Sequence, residues 1–274
     1  MRCALVPFAA AAVVSVASAQ TGHIIAIGDE WLLSDQAFID QPSQSLQLAN
    51  NIANYFSGST GNFLVLSNSP PSGPFVGQRG VLGDSLSFAM INSGHSWIVN
   101  PEDFTLSLAA LQSYDAVFFS GTTGSGAANA AILAQYVNGG GSVLVMAGTG
   151  DFGSAQGEAD GWNPFLNQFG LGFGNTWFAS GASLLNIPTL PSSHPVGSLI
   201  TSAAWGFGQT AMDLDPSNPL NEVAVFGNFA GFDSPPGFDA GAVPIIATYN
   251  LVTPTPGASG LLALGALAFA RRRR

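Results

Sequence analysis

Short, continuous apolar runs that alternate with helical patterns constrain the fold of this chain more than any other feature. Runs that are apolar throughout are typical of strands covered on both faces, as in a parallel sheet. Between them, apolar residues recur on one helical face, as in residues 43–56. The alternation predicts βαβ units, and therefore an α/β three-layer sandwich around a parallel sheet. The predicted strands are residues 23–28, 62–66, 95–99, 115–120 and 142–146.

Helix signals fill the spaces between these strands, and the pattern changes after Gly150. We expect Ser43 and Asp84 to cap their helices and Gly58 and Gly170 to end theirs. The part beyond Gly150 is predicted to be β-rich, and its last two strands are expected to form a hairpin. The predicted helices are residues 43–56, 84–92, 106–112, 127–137 and 162–169, and the later strands are residues 176–179, 222–226 and 243–248.

The charges exclude one class of function. The chain has no lysine, and residues 20–253 set Arg79 alone against 16 acids, a net charge of −15. Nucleic-acid binding needs a basic patch that neutralises phosphates, so we expect no nucleic-acid partner. The single cysteine, Cys3, lies in the first segment, which leaves the rest of the chain without a thiol nucleophile, a disulfide or a cysteine metal ligand.

The first 19 residues have the layout of a secretory signal peptide. Arg2 precedes an apolar run, and Ala17-Ser-Ala19 is a small-residue cleavage site. The run is too short to span a membrane, which favours removal by signal peptidase after Ala19. We therefore expect an exported protein.

The last stretch, residues 251–274, combines a proline motif, an apolar run and terminal arginines. It resembles the PEP-CTERM sorting signal, and this resemblance implies an exosortase-type protease as partner and delivery to the cell surface or extracellular matrix. The run Gly257–Ala270 has 14 residues, about 21 Å as a helix at ~1.5 Å per residue. We expect a transmembrane helix that is transient or retained, the alternative being an ordinary anchor oriented by its positive charges. The sorting residues are Pro254, Pro256, Arg271, Arg272, Arg273 and Arg274.

The middle of the chain is similar to type I glutamine amidotransferase-like domains. Three stretches carry the similarity: residues 114–121, residues 133–146 and His194-Pro-Val196. It implies a flavodoxin-like fold for a single domain over residues 20–250.

Ligands of open α/β sheets bind at the carboxyl ends of the strands. The turn at residues 121–126 offers backbone N–H groups to an anion, although a turn that only joins a strand to a helix is the favoured interpretation. The predicted ligand cleft consists of Asp29, Glu30, Gly121, Thr122, Gly148, Thr149 and Asp151.

Catalysis would need an alcohol nucleophile with a base beside it. Thr149 occupies the place where catalytic amidotransferase-like members carry their cysteine, so Thr149 and Ser125 are candidate nucleophiles and His194 is a candidate base. Without a cysteine, glutamine-amide hydrolysis by the family's mechanism is not expected.

Acidic pairs offer oxygen ligands of the kind that calcium uses. Asp213 and Asp215 form one such set, and Asp151 with Glu158 and Asp160 forms another. A solvated surface is the favoured interpretation of both, and no other cofactor is expected.

Three functions follow, in order of preference. The first is an exported, non-catalytic module with a structural or ligand-binding role. The second is a hydrolase or amidase that uses Thr149 or Ser125. The third is a calcium-stabilised adhesive module.

Overall fold

A seven-stranded sheet forms the centre of the molecule. The computed structural model describes residues 21–68, 80–179, 184–233, 235–239 and 241–252. The strands are β1 (Thr21–Ile27), β2 (Asn62–Ser67), β3 (Ser96–Val99), β4 (Ala116–Ser120), β5 (Ser142–Met146), β6 (Leu171–Phe173), β7 (Leu185–Pro188), β8 (Ser202–Trp205), β9 (Ala211–Asp213), β10 (Asn221–Gly227) and β11 (Val243–Val252). The order across the central sheet is β10-β11-β1-β5-β4-β2-β3, while β6 pairs with β9 and β7 with β8.

The sheet is mostly parallel. The pairs β1–β5, β5–β4, β4–β2 and β2–β3 are all parallel, and β10 and β11 form an antiparallel pair at one edge. The predicted hairpin near the end of the chain is therefore confirmed, and its register shifts between Val223 and Phe226.

Helices cover both faces of this sheet. They are α1 (Asp35–Asp40), α2 (Pro42–Ser57), α3 (Asp84–Asn92), α4 (Leu108–Leu111), α5 (Ala127–Asn138) and α6 (Ala155–Leu166). Strand residues that alternate along the chain pack against opposite layers. Ile25 and Phe118 share a buried cluster with α2 and α3, whereas Ile24 and Phe119 share one with α5 and α6. The predicted three-layer α/β architecture is confirmed.

The five early strands match their predictions to within about two residues, but the two predicted helix caps, Ser43 and Asp84, are wrong. Pro42 is the first residue of α2, preceded by Gln41, and Gly83 rather than Asp84 precedes α3. A proline suits the first helical position because its ring fixes φ and its missing N–H has no partner there. Gly58 does end α2, in a left-handed conformation with φ of 66°.

The region after Gly150 is β-rich as predicted, although several elements differ. Helix α6 begins at Ala155, capped by Ser154, and continues through Pro164 to Leu166, where a 3-10 turn leads to Gly170. The prediction began it seven residues late, because Gly157 and Gly161 weaken the helical pattern of its first half. The predicted strand at residues 176–179 is wrong: the only pairing there is the isolated bridge between Phe178 and Gly208.

The expectation of a transmembrane helix is corrected. Within the described ranges, no helix is both long enough and apolar enough to cross a bilayer. The predicted signal peptide with Ala19, the sorting motif with Pro254 and Pro256, and the terminal arginines lie outside the described residues.

Candidate functional site

The carboxyl ends of β1, β4 and β5 meet at one edge of the sheet, because the three strands are parallel neighbours. Asp29 and Glu30 follow β1, Gly121 follows β4, and the segment from Gly148 follows β5. The predicted cleft residues are thus brought to the same edge. We use the name strand-end site for the residues gathered at the carboxyl ends of these strands, among them Asp29, Glu30, Gly121 and Thr149.

Asp29 holds two segments together from a fully buried position. Its Oδ1 accepts a hydrogen bond from the Trp31 backbone N–H at 2.9 Å, and its Oδ2 accepts from the N–H groups of Gly206 and Phe207 at 2.6 and 3.1 Å. Burial raises the pKa of Asp29 to about 7, the nearby Glu158 adds to the rise, and the three backbone donors oppose it. Asp29 therefore fixes the end of β1 against a loop far away in the sequence.

Glu30 joins three strands. Its backbone N–H donates to the carbonyl of Ala147 at 2.7 Å, just beyond β5. Its Oε2 accepts from the hydroxyl of Ser120, the last residue of β4, at 2.8 Å. The side chain is 1% exposed, so these contacts lie in the interior.

Glu158 is the centre of the strand-end site. It projects from α6, is fully buried, and accepts five hydrogen bonds. Its Oε1 accepts from the Thr149 N–H at 2.7 Å, the Thr149 hydroxyl at 2.7 Å and the Gly150 N–H at 3.1 Å. Its Oε2 accepts from the Gly148 N–H at 2.9 Å and the Trp177 indole at 3.2 Å. The carboxylate thereby fixes the whole turn after β5.

Backbone N–H groups of the turn after β4 donate hydrogen bonds to acceptors within the chain. Asn68, which follows β2, accepts through Oδ1 from the N–H groups of Thr122 and Thr123 at 2.7 and 3.0 Å, and its amide group donates to the Thr122 hydroxyl. The N–H of Gly126 donates to the carbonyl of Gly161 on α6. This arrangement supports the interpretation of residues 121–126 as a strand-to-helix turn rather than an anion site.

The three candidate catalytic residues have different partners. Thr149 contacts Glu158, as described, and its Oγ1 accepts from the N–H of Asp151 at 3.2 Å. The hydroxyl of Ser125 donates to the carbonyl of Thr122 in its own turn, at 2.7 Å. His194 caps a 3-10 turn and contacts Thr248 and other residues outside the strand-end site.

The acidic pairs that resembled calcium ligands are engaged in local contacts. Asp213 Oδ1 accepts from the N–H of Asp215 at 2.9 Å, and Asp215 Oδ1 accepts from Ser217 at 2.6 Å. Asp160 is exposed and bonds Gln156, one turn earlier on α6. In the described part of the chain, no three His, Cys, Asp or Glu side chains are placed to hold a metal ion together.

Two half-buried aromatic rings lie beside the carboxylates. The rings of Trp177 and Phe207 have centroids 4.1 Å apart, and Trp177 also contacts Glu158. Trp162 and Trp205, in contrast, are buried in the core. The aromatic pair is thus partly exposed to solvent and is joined to the buried acids through the Trp177 indole and the Phe207 backbone N–H.

Several residues of the strand-end site were not predicted. Ligands of open α/β sheets bind at the carboxyl ends of the strands. Applied to β2 and to the last residue of β4, this rule would have found Asn68 and Ser120. Glu158 was predicted only as a member of a possible calcium set, and it comes, like Trp177 and Phe207, from outside the strands, so no local signal places these three residues at this site. Comparison of the chain with protein-family profiles, curated protein sequences and solved structures finds no match to any of the three.

Proposed function

We propose that this protein is an exported module, directed to the cell surface or extracellular matrix, whose α/β domain is non-catalytic and has a structural or ligand-binding role. The observation that carries the non-catalytic part is the saturation of Glu158. A carboxylate has about four lone-pair sites, and Glu158 already accepts five hydrogen bonds. Four of these bonds come from backbone N–H groups of the turn after β5 and from the Trp177 indole, and Thr149 is only 4% exposed, so the carboxylate holds a buried turn rather than serving a residue that a substrate can reach.

A hydrolase that uses Thr149 is the alternative, and one distance favours it. The Thr149 hydroxyl lies 2.7 Å from Glu158 Oε1, within the reach that a general base needs. Thr149 is 4% exposed, however, so a substrate would have to displace the turn that Glu158 holds. The non-catalytic proposal needs no such displacement.

The strand order supports the flavodoxin-like, amidotransferase-like part of the proposal only in part. Strands β3-β2-β4-β5 follow one another like strands 2-1-3-4 of the flavodoxin-like order 2-1-3-4-5, but the fifth place is taken by β1, the first strand of the chain. The point at which strand order reverses then falls between β2 and β4. Asn68 and Gly121 lie at the carboxyl ends of those two strands, beside the strand-end site.

Activity assays with model substrates distinguish the two functions. Wild-type protein and the Thr149→Ala and Ser125→Ala variants would be incubated with p-nitrophenyl acetate and, separately, with glutamine. We expect equal background rates for all three proteins. Hydrolysis by the wild type that falls at least ~100-fold in Thr149→Ala, with an unchanged circular dichroism spectrum, would overturn the non-catalytic proposal.

Export and tail processing have their own test. The predicted signal sequence, with cleavage after Ala19, and the PEP-CTERM-like tail at residues 251–274 support this part of the proposal. Intact-mass analysis of protein collected from the cell surface should show a chain that begins at Gln20 and lacks Arg271–Arg274. A mass that includes the four arginines would refute processing of the tail.

A further inference from the structure

Three helices on one face of the sheet leave large apolar side chains in solvent. Helices α1, α2 and α3 contact one another. Ile39 on α1, Leu46 on α2, and Phe88 and Ile91 on α3 are 69%, 43%, 68% and 55% exposed. Single exposed apolar residues are ordinary, but several on adjoining helices mark an interaction surface.

These helices enclose a groove of about 730 Å³, which we call the α2–α3 groove. Phe38, Pro42 and Leu46 line one side, and Phe88 and Ala89 line the other. Aromatic rings thus stand at both sides, and most of the wall surface is apolar, although Asn50, Asp84, Ser85, Asn92 and Ser93 also line the groove. Such a groove suits the apolar face of an amphipathic helix.

Acidic groups accompany the groove. Asp84 lines it, and exposed Asp40 lies between Phe38 and Pro42 in the chain. Asp40 is in the last turn of α1, which has no basic residue, and a negative charge is unfavourable at that end of a helix. The described residues include no lysine or arginine at all, so Asp40 has no such partner among them.

We propose that the α2–α3 groove binds a cationic amphipathic helix of a partner protein. Its apolar face would cover Phe88 and Leu46, and its lysine or arginine side chains would meet Asp40 and Asp84. A second copy of this chain fits less well, because its equivalent surface would bring a second set of acids to the first. The proposal concerns a surface on helices α1 to α3 and does not depend on what the strand-end site does.

A designed peptide tests the proposal on the purified full-length protein. The probe is a fluorescein-labelled helix of about four turns, with leucines at i, i+3, i+4 and i+7 and lysines on the remaining faces. We expect saturable binding by fluorescence anisotropy that weakens as salt is added. A matched peptide with glutamate in place of lysine should bind at least ~10-fold more weakly.

Variants locate the binding. Phe88→Ala should weaken binding of the lysine peptide by at least ~10-fold, because exposed aromatic residues commonly anchor such contacts. Phe232→Ala removes a similar ring, 40% exposed and outside the three helices, and should leave binding unchanged. The double variant Asp40→Asn/Asp84→Asn should weaken binding about 3-fold or more at low salt and leave it unchanged at high salt.

Three results would overturn the proposal. The first is that the lysine peptide does not bind. The second is that Phe88→Ala and Phe232→Ala weaken binding of the peptide equally. The third is a wild-type dimer in sedimentation that Phe88→Ala dissociates, which would assign the groove to a second copy of the chain. Since Phe88 is 68% exposed, the substitution is expected to preserve the fold, and circular dichroism checks this.

Discussion

Glu158 and Thr149 share two hydrogen bonds through one carboxylate oxygen: the Thr149 N–H and hydroxyl both donate to Glu158 Oε1 at 2.7 Å. The pair connects α6 to the turn after β5. Because the carboxylate is fully buried, its charge is compensated by oriented N–H and O–H groups rather than by water. This connection makes the carboxyl edge of the sheet depend on a residue from the β-rich half of the chain.

Replacing Glu158 with glutamine should destabilise the fold by about 3 kcal/mol. The carboxylate now accepts hydrogen bonds from five donors. The amide of glutamine would direct its own N–H groups at some of these donors and leave them buried without an acceptor. Urea unfolding at neutral pH measures the change. Asp160→Asn on the same helix is the control, since exposed Asp160 bonds only Gln156 among the contacts seen, and it should cost less than about 0.5 kcal/mol. Equal losses in the two variants would contradict the structural role of Glu158.

Gly148 and Gly150 offer a matched pair of alanine substitutions. Both have φ near +70°, a conformation that costs alanine about 1 kcal/mol. At Gly148 a Cβ would also lie 2.6 Å from the carbonyl oxygen of Phe207 and 3.0 Å from Asp29 Oδ1, whereas at Gly150 nothing lies within 4 Å. We therefore expect Gly148→Ala to be at least ~2 kcal/mol less stable than Gly150→Ala. Thermal unfolding compares the two, and similar stabilities would show that the turn can move away from Phe207.

The sequence predicts the strands well because burial on both faces requires continuous apolar runs. The run Ile24–Ile27 is fully buried, as is Val143–Met146, and both were recognisable as strands. The position of Asp29 and Glu30 at the strand-end site then follows from the rule that parallel strands end at one edge. Local pattern and parallel topology together account for this part of the site.

The rest of the site depends on long-range contacts that no local pattern records. Asp29 binds Gly206 and Phe207, which are about 177 residues away in the chain. The sequence does not show that Glu158 lies on a helix, because Gly157 and Gly161 make the first half of α6 resemble a loop. Those glycines are explained by packing: a Cβ at either position would lie within 3 Å of Phe152. Tertiary packing overrides the intrinsic helix propensity there.

Asp29 should make stability fall as pH rises. Its pKa is about 7 in the folded protein and about 3.9 in the unfolded chain, so between these values the folded state binds more protons. Its stabilising contribution is complete below about pH 4 and is lost as pH rises to about 7. The free energy of unfolding, measured with urea at several pH values in this range, should decrease more steeply with rising pH in the wild type than in Asp29→Asn. An unchanged difference between wild type and variant from pH 4 to pH 7 would contradict the raised pKa.

His23 should make stability fall as pH falls, the opposite of the effect of Asp29. Burial, and the charge of His194 when that residue is protonated, lower the pKa of His23 to about 4. The ring of His23 packs 4.5 Å from that of Tyr55, which in turn lies 5.2 Å from the ring of His194.

Between about pH 6.5 and pH 4 the unfolded chain therefore binds a proton that the folded protein excludes, and stability falls as pH falls. His23→Gln should remove this acid-induced loss, about 3 kcal/mol for ~2.5 pKa units, even if it lowers stability at pH 7. The difference in unfolding free energy between pH 7 and pH 4.5 is the measurement, and His95→Gln is the control. His95 also has a lowered pKa, but it stacks on Phe63 of β2, which β5 and β4 separate from β1, the strand of His23. If His95→Gln removed as much of the acid-induced loss as His23→Gln, the lowered pKa of His23 would not be its main source.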